Sequence, residues 1–227
     1  MIVFSRFILM EGSILQAERF PDDATQIATR MEDIQLVLDS LKQWNQEEFF
    51  NGIFNTNKIG VIGHSLGGAT VFHLAATDKR VNCAILLDAS LHVVDNKMPQ
   101  VPTLNIRQEA SSYIEYLNAI KDEEDNGTSE DVAKGYIEKQ TEMYERLPAG
   151  SSFIKVKGAK HLSFSTIGRL ISDIPSDVTA TIEELIIVFL EEVLKEKQGF
   201  YSSIMNGKNR PIHAVDIDGA GLPITNP

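Results

Sequence analysis

The run Gly63-His64-Ser65-Leu66-Gly67-Gly68 sets a serine between two glycines. The spacing G-x-S-x-G is that of a nucleophile elbow, a sharp strand-to-helix turn that holds the serine in a strained backbone conformation and exposes its hydroxyl. Small flanking residues suit such a turn because it brings neighbouring backbone close together. The backbone N–H of Leu66, the residue after the nucleophile, is then one donor of an oxyanion hole, and the helix that follows aims its positive end at the same point. The chemistry is acyl transfer, with a hydroxyl attacking a carbonyl carbon.

A serine hydroxyl at its ordinary pKa is a poor nucleophile. It needs a histidine as base and a carboxylate to orient that base, later in the chain in the order Ser, Asp, His. The chain has 5 histidines. His64 sits on the turn and is expected to point elsewhere. His73 is one to two turns into the next helix, His92 is near a strand end, and His213 is in the tail. His161, in KVKGAKHLSF, lies just past a strand, at the carboxyl edge where open α/β sheets place their sites. It is the candidate base. Two carboxylates compete for the third role: Asp88 ends the strand after the elbow unit, and Glu109 follows the strand after that. Position alone leaves both open, and a capping or solvated role is the plainer reading of Glu109.

These residues require strands and helices in alternation. KIGVIG (58–63) is a short apolar run before the serine, and 66–77 has helical composition. VNCAILLD (81–88) and PTLNIR (102–107) read as strands buried on both faces, and SFIKVK (152–157) as the next strand. Upstream, Ile2–Leu9 is strand-like. Pro21-Asp22-Asp23 supplies helix-start chemistry, and Ile27, Met31, Ile34, Leu38 and Leu41 recur at helical spacing, which predicts an amphipathic helix on a sheet. Residues 111–147 hold two helical stretches around the acidic loop KDEEDNGTSED, a candidate lid or insertion with Tyr113, Ile114 and Tyr116 as acyl contacts. A helix is predicted over 178–195, with Ile182, Leu185, Ile186, Phe189 and Val193 on one face. The tail 199–227, rich in Gly, Asn and Pro, is expected to be irregular or extended. The pattern is that of an α/β fold with a mostly parallel sheet, in one domain over 1–227.

Composition sets the outer bounds. With 43% hydrophobic and 23% charged residues, the 227-residue chain is ordinary for a globular protein. A net charge of -11 and a pI near 4.9 give a field of the wrong sign for nucleic acid or anionic lipid, so no nucleic-acid partner is expected. The lone cysteine, Cys83, cannot form an internal disulfide and reads as a small core residue. With no signal peptide in the first residues, the expected location is the cytoplasm. No run reaches the ~18–20 apolar residues of a membrane span, so stable membrane insertion is not expected.

The runs GHSLGGATV, VNCAILLDAS and KGAKHLSF, in that order, resemble the platelet-activating-factor acetylhydrolase type of α/β-hydrolase. The resemblance covers roughly 24–195 and is strongest over 58–90 and 158–164. In that family the acid sits one strand earlier than usual, which favours Asp88 over Glu109. It implies an α/β-hydrolase fold and hydrolysis of short-acyl esters or lipids without metal or cofactor. Ser65 would attack, His161 shuttle the proton and Asp88 fix the imidazole. The departure is upstream, where such hydrolases have several strands and a loop that gives the second oxyanion N–H. Ser65 stands near the start and no HGG-type loop precedes it, so the N-terminal strands of the full fold are expected to be missing. The elbow strand would then have an open edge, free to pair with Ile2–Leu9 or with another copy in a homo-oligomer. Losing one oxyanion donor costs ~10² to 10³ in turnover, so weak activity is expected. Two rival readings remain: a shortened, non-catalytic relative, and a dinucleotide-binding fold with Asp88 on a ribose, for which the glycine spacing is wrong.

Overall fold

The computed structural model describes residues 22–121 and 129–224, apart from the side chains of Lys121 and Arg169. The strand expected over Ile2–Leu9 and most of the acidic loop lie outside them. The chain falls into two compact units divided after Thr56.

In the first unit, α1 (Asp23–Trp44) starts where the sequence places it. Asp22 is the N-cap, its carboxylate accepting from Thr25 N at 2.7 Å. After the helix, the Asn45 side chain brackets Phe54, accepting from its N–H at 2.9 Å and donating to its carbonyl at 2.8 Å. The Phe50 ring meets those of Phe49 and Phe54 there, with Phe49 itself exposed.

The second unit is built on a five-stranded sheet in the order β1 (Ile59–His64), β2 (Val81–Leu87), β3 (Thr103–Arg107), β4 (Ser152–Val156), β5 (Ala214–Asp216). The first four strands are parallel, and β5 runs antiparallel to β4. Parallel neighbours need crossovers, which α2 (Leu66–Thr77) supplies between β1 and β2, and α3 (Tyr113–Lys121) with α4 (Ser129–Arg146) between β3 and β4. Side chains alternate across a strand. One face of the sheet, with Cys83, Ile85, Leu87, Leu104, Ile106, Ile154 and Val156, packs on Val178, Ile182, Leu185 and Phe189 of α6 (Ser176–Val193). The other face of β3 carries Asn105 and Arg107, which meet Gln140 and Tyr136 of α4. The helices of 111–147 therefore form a layer of the fold on that face, with Tyr136, Gln140 and Met143 fully buried.

The tail departs from expectation. Residues 199–227 are not irregular throughout: after the short helix α5 (Thr166–Ile171) and α6, they form α7 (Phe200–Met205) and the edge strand β5. Gly199, at φ 74°, opens α7 in a conformation few other residues adopt. Tyr201 packs edge-on against Phe189 and donates to Ser152 Oγ at 2.9 Å. The strand has 3 residues, too short to show any periodicity, and it exists because β4 offers a free edge. Beyond it, Gly219 O accepts from Gln140 and Thr141, and Gly221 O from the Ser111 hydroxyl. Among the described residues β1 ends the other side of the sheet, and no described helix is long and apolar enough to cross a membrane.

Candidate active site

The elbow forms where β1 runs into α2. Ser65 has φ 55° and ψ -126°, outside the regions comfortable for a residue with a side chain. The turn is held by backbone bonds: Ser65 N donates to Leu87 O at 3.1 Å, and Ser65 O accepts from Gly68 N at 2.9 Å and Ser90 N at 3.0 Å. A Cβ at Gly63 would overlap the Gly67 carbonyl, and one at Gly68 would overlap the Ala89 methyl. At Gly67 a Cβ would meet nothing within 4 Å. The close approach thus falls on Gly63 and Gly68, not on the pair that flanks the serine symmetrically. Leu66 opens α2, so its N–H has no carbonyl of its own helix to bond and stands beside the serine as an anion donor.

His161 begins a 3₁₀ turn (His161–Phe164) after β4, reached through Gly158 at φ 78°. Its Nε2 lies 3.1 Å from Ser65 Oγ and its Nδ1 lies 2.7 Å from Asp88 Oδ2. The imidazole side chain is 39% exposed while the Asp88 side chain is 1% exposed, so the contacts run from the open edge of the sheet into its interior. Burial alone would push the Asp88 carboxyl up. The Arg107 guanidinium, the hydrogen bond and charge of His161, and the Gln108 N–H outweigh it and hold the group below the usual carboxylate range. An ionised Asp88 only accepts, so His161 Nδ1 carries the proton and Nε2 is left to accept from the serine hydroxyl.

Glu109 takes another role. Its carboxylate accepts from Gly158 N at 3.0 Å and its own N–H donates to Ala159 O at 2.9 Å, stapling the loop after β3 to the loop that carries His161. His73 and His213 pair with Asp95 and Asp177.

His64 does not point elsewhere. Its Nε2–H donates to the His161 carbonyl at 2.9 Å, and the two rings are 4.6 Å apart. Burial, and then the neighbouring His161, lower its pKa from 6.5 to about 4, so it is neutral near pH 7 and its bond to the His161 carbonyl persists. Side chains alternate along β1, so His64 shares the face of Ile62, which packs on the core that holds Phe164, and its ring lies 6.2 Å from that of Phe164, facing the His161 loop.

Arg107 was not among the candidates. It ends β3 and forms a buried ion pair with Asp88 Oδ1, and its guanidinium carbon lies 3.8 Å from the Tyr136 ring centroid and 5.0 Å from that of Tyr116. The available signal was a charged residue closing a strand read as buried on both faces, next to a strand closing in Asp. With Asp88 sealed under Arg107 and His161, no face of its carboxylate is open to a ribose, as the dinucleotide reading requires.

The sequence model of the family "Platelet-activating factor acetylhydrolase, isoform II" matches residues 24–180. The platelet-activating factor acetylhydrolase of Canis lupus familiaris is 28% identical over 189 residues, covering 75% of this chain and 36% of that protein. The Cavia porcellus protein of the same name is 28% identical over 174 residues, covering 69% of this chain and 35% of its own length. The chain thus spans about a third of the length of these curated relatives. Among solved structures, a ferulic acid esterase from Streptomyces cinnamoneus superposes with a TM-score of 0.56 at 18% identity, covering 84% of this chain and 56% of that one. The shared architecture is the α/β-hydrolase fold.

Proposed function

Because the chain belongs to the platelet-activating factor acetylhydrolase isoform II family, we propose that it is a serine hydrolase of carboxylic esters with short acyl groups, with Ser65 as nucleophile, His161 as base and Asp88 as the orienting carboxylate. The observation that carries this reading is the unbroken line from Asp88 Oδ2 through His161 to Ser65 Oγ, at 2.7 and 3.1 Å, ending on an elbow serine. His161 Nε2 takes the hydroxyl proton as Oγ attacks the ester carbonyl, and Asp88 stabilises the imidazolium that forms. The negative oxygen of the tetrahedral intermediate develops beside Leu66 N–H at the start of α2. The imidazolium returns its proton to the departing alkoxide, and the C–O bond to the alcohol breaks. Water, deprotonated by the same histidine, then releases the acid from Ser65. No step requires a metal or cofactor. The relatives' name points to acetyl esters, and the half-exposed histidine suits a substrate arriving from the open edge of the sheet.

The test is hydrolysis of p-nitrophenyl acetate and butyrate by the full chain beside Ser65→Ala, Asp88→Asn and Glu109→Gln. Loss in the first two with activity kept in the third supports the assignment. A wild-type rate equal to that of Ser65→Ala removes the ester hydrolase reading. Loss in Glu109→Gln alone reassigns the acid.

A further inference from the structure

We propose that Arg107 is a positioning residue for this reaction: its guanidinium, sealed beneath His161 with Asp88, keeps that carboxylate charged and aimed at His161 Nδ1. The inference rests on the ester hydrolase reading for its consequence, but its geometry stands on its own. Both side chains of the ion pair are 1% exposed. Asp88 N donates to Ile106 O at 2.8 Å, which sets the end of β2 against the end of β3 and puts Arg107 alongside the carboxylate. Asp88 Oδ1 is taken by Arg107 and by Gln108 N at 3.3 Å, so Oδ2 is the oxygen left for the histidine. The carboxylate is gripped from one side and presented from the other.

A buried ion pair is a poor way to stabilise a fold, since apolar residues of equal volume do as well or better. This one is poorer than most. Arg107 Nε and Nη2 are buried with no hydrogen-bond partner among the described residues, and the guanidinium is instead held by the faces of Tyr136 and Tyr116. What the pair does supply is a positive charge next to a carboxylate that must stay ionised in an interior site. The titratable groups facing Asp88 are His161 after β4, His64 on β1 and Tyr136 on α4, with Arg107 from β3, whose charge also draws in Tyr116 of α3. His64 is neutral near pH 7 and Tyr136 is uncharged, because burial drives it well above the ordinary tyrosine range. Arg107 is therefore the permanent cation at this site among the described residues.

Without it, burial would drive the Asp88 carboxyl upward, the carboxylate would take up a proton at higher pH, and His161 Nδ1 would lose its charged acceptor. Two readouts on the full chain test this. The first is independent of turnover: ¹³C NMR of the Asp88 carboxyl through a pH titration, for wild type, Arg107→Met and Arg107→Lys. Asp88 is expected to stay ionised down to acid pH in wild type and Arg107→Lys, and to titrate at least about one pH unit higher in Arg107→Met. The second is p-nitrophenyl butyrate hydrolysis over the same pH range, in which Arg107→Met loses activity where its Asp88 takes up a proton. The loss falls on kcat rather than KM, and Arg107→Lys restores it. An Asp88 titration unmoved by Arg107→Met, or moved equally by Arg107→Lys, overturns the proposal and leaves only packing. If Arg107→Met fails to fold, Asp88→Asn is compared with the Asp88→Asn/Arg107→Met double variant. Equal rates are expected, because the arginine has no carboxylate left to act on, and a further tenfold loss in the double variant contradicts the inference. A wild type that shows the NMR behaviour without Ser65-dependent hydrolysis sinks the esterase reading and the catalytic consequence of Arg107 with it. Normal hydrolysis with an unmoved Asp88 sinks Arg107 alone.

Discussion

Ser65 and Asp88 both stand at the carboxyl end of a parallel strand and both carry a positive φ, 55° and 43°, yet they are held there by different forces. At Ser65 the constraint is steric. Two glycines let backbone approach backbone, three carbonyl and amide contacts lock the turn, and the side chain is left free to meet the histidine. At Asp88 the constraint is electrostatic. The carboxylate is buried and every direction around it is filled by a donor: Arg107, Gln108 N–H or His161. A strained φ costs about 1–3 kcal/mol and persists only where the surroundings over-determine it. The serine end meets that cost with shape and the aspartate end with charge, so the two should fail differently when they are altered.

The largest effects are expected at Ser65 and Asp88 themselves. Ser65→Ala and Asp88→Asn should each lower kcat for p-nitrophenyl butyrate by about 10⁴-fold or more, with unchanged far-UV circular dichroism. If Asp88→Asn kept activity, charge would not be what the aspartate end contributes. At the serine end, Gly63→Ala should cost about 3 kcal/mol or more in urea unfolding and abolish hydrolysis, because the new methyl overlaps the Gly67 carbonyl. Gly67→Ala should be neutral or stabilise by up to about 1 kcal/mol, since its Cβ enters open space in the first turn of a helix. Equal behaviour of the two glycine variants would mean that sterics do not set the elbow.

His64 links the two ends through the His161 carbonyl and gives a pH signature. Its folded pKa, about 4, lies below its ordinary value of 6.5. The unfolded chain therefore binds the extra proton first, and stability is lost as pH falls from about 6.5 towards 4, by roughly 3 kcal/mol at most. His64→Gln should flatten the melting temperature over that interval, and an unchanged slope would show that another group is responsible. The smallest effect is expected at Glu109. Glu109→Gln keeps an acceptor for Gly158 N, so hydrolysis should stay within about threefold of wild type.

The same division explains what could be read from the chain before the fold. The elbow is legible because its constraint is local: glycines at fixed offsets, a strand before and a helix after. His161 is legible from its position past a strand. Arg107 is not, because its meaning depends on two strands lying side by side, and an arginine at a strand end ordinarily points to solvent. His64 was misjudged for a related reason, since no spacing rule shows that a loop almost a hundred residues later packs on the elbow. The edge strand β5 and helix α7 rest on contacts with β4 and α6 that no short window of sequence contains. Where shape is local the residues declare it, and where charge or an edge is matched across the fold they do not.

The proposed chemistry depends on Ser65 being activated by the line of contacts behind it. Intact-mass measurement of the chain after exposure to an alkyl fluorophosphonate at pH 7 tests it most directly. One adduct on Ser65 is expected, absent from Ser65→Ala and formed far more slowly in Asp88→Asn. An unlabelled wild type, or an adduct that forms equally fast without Asp88, would contradict it.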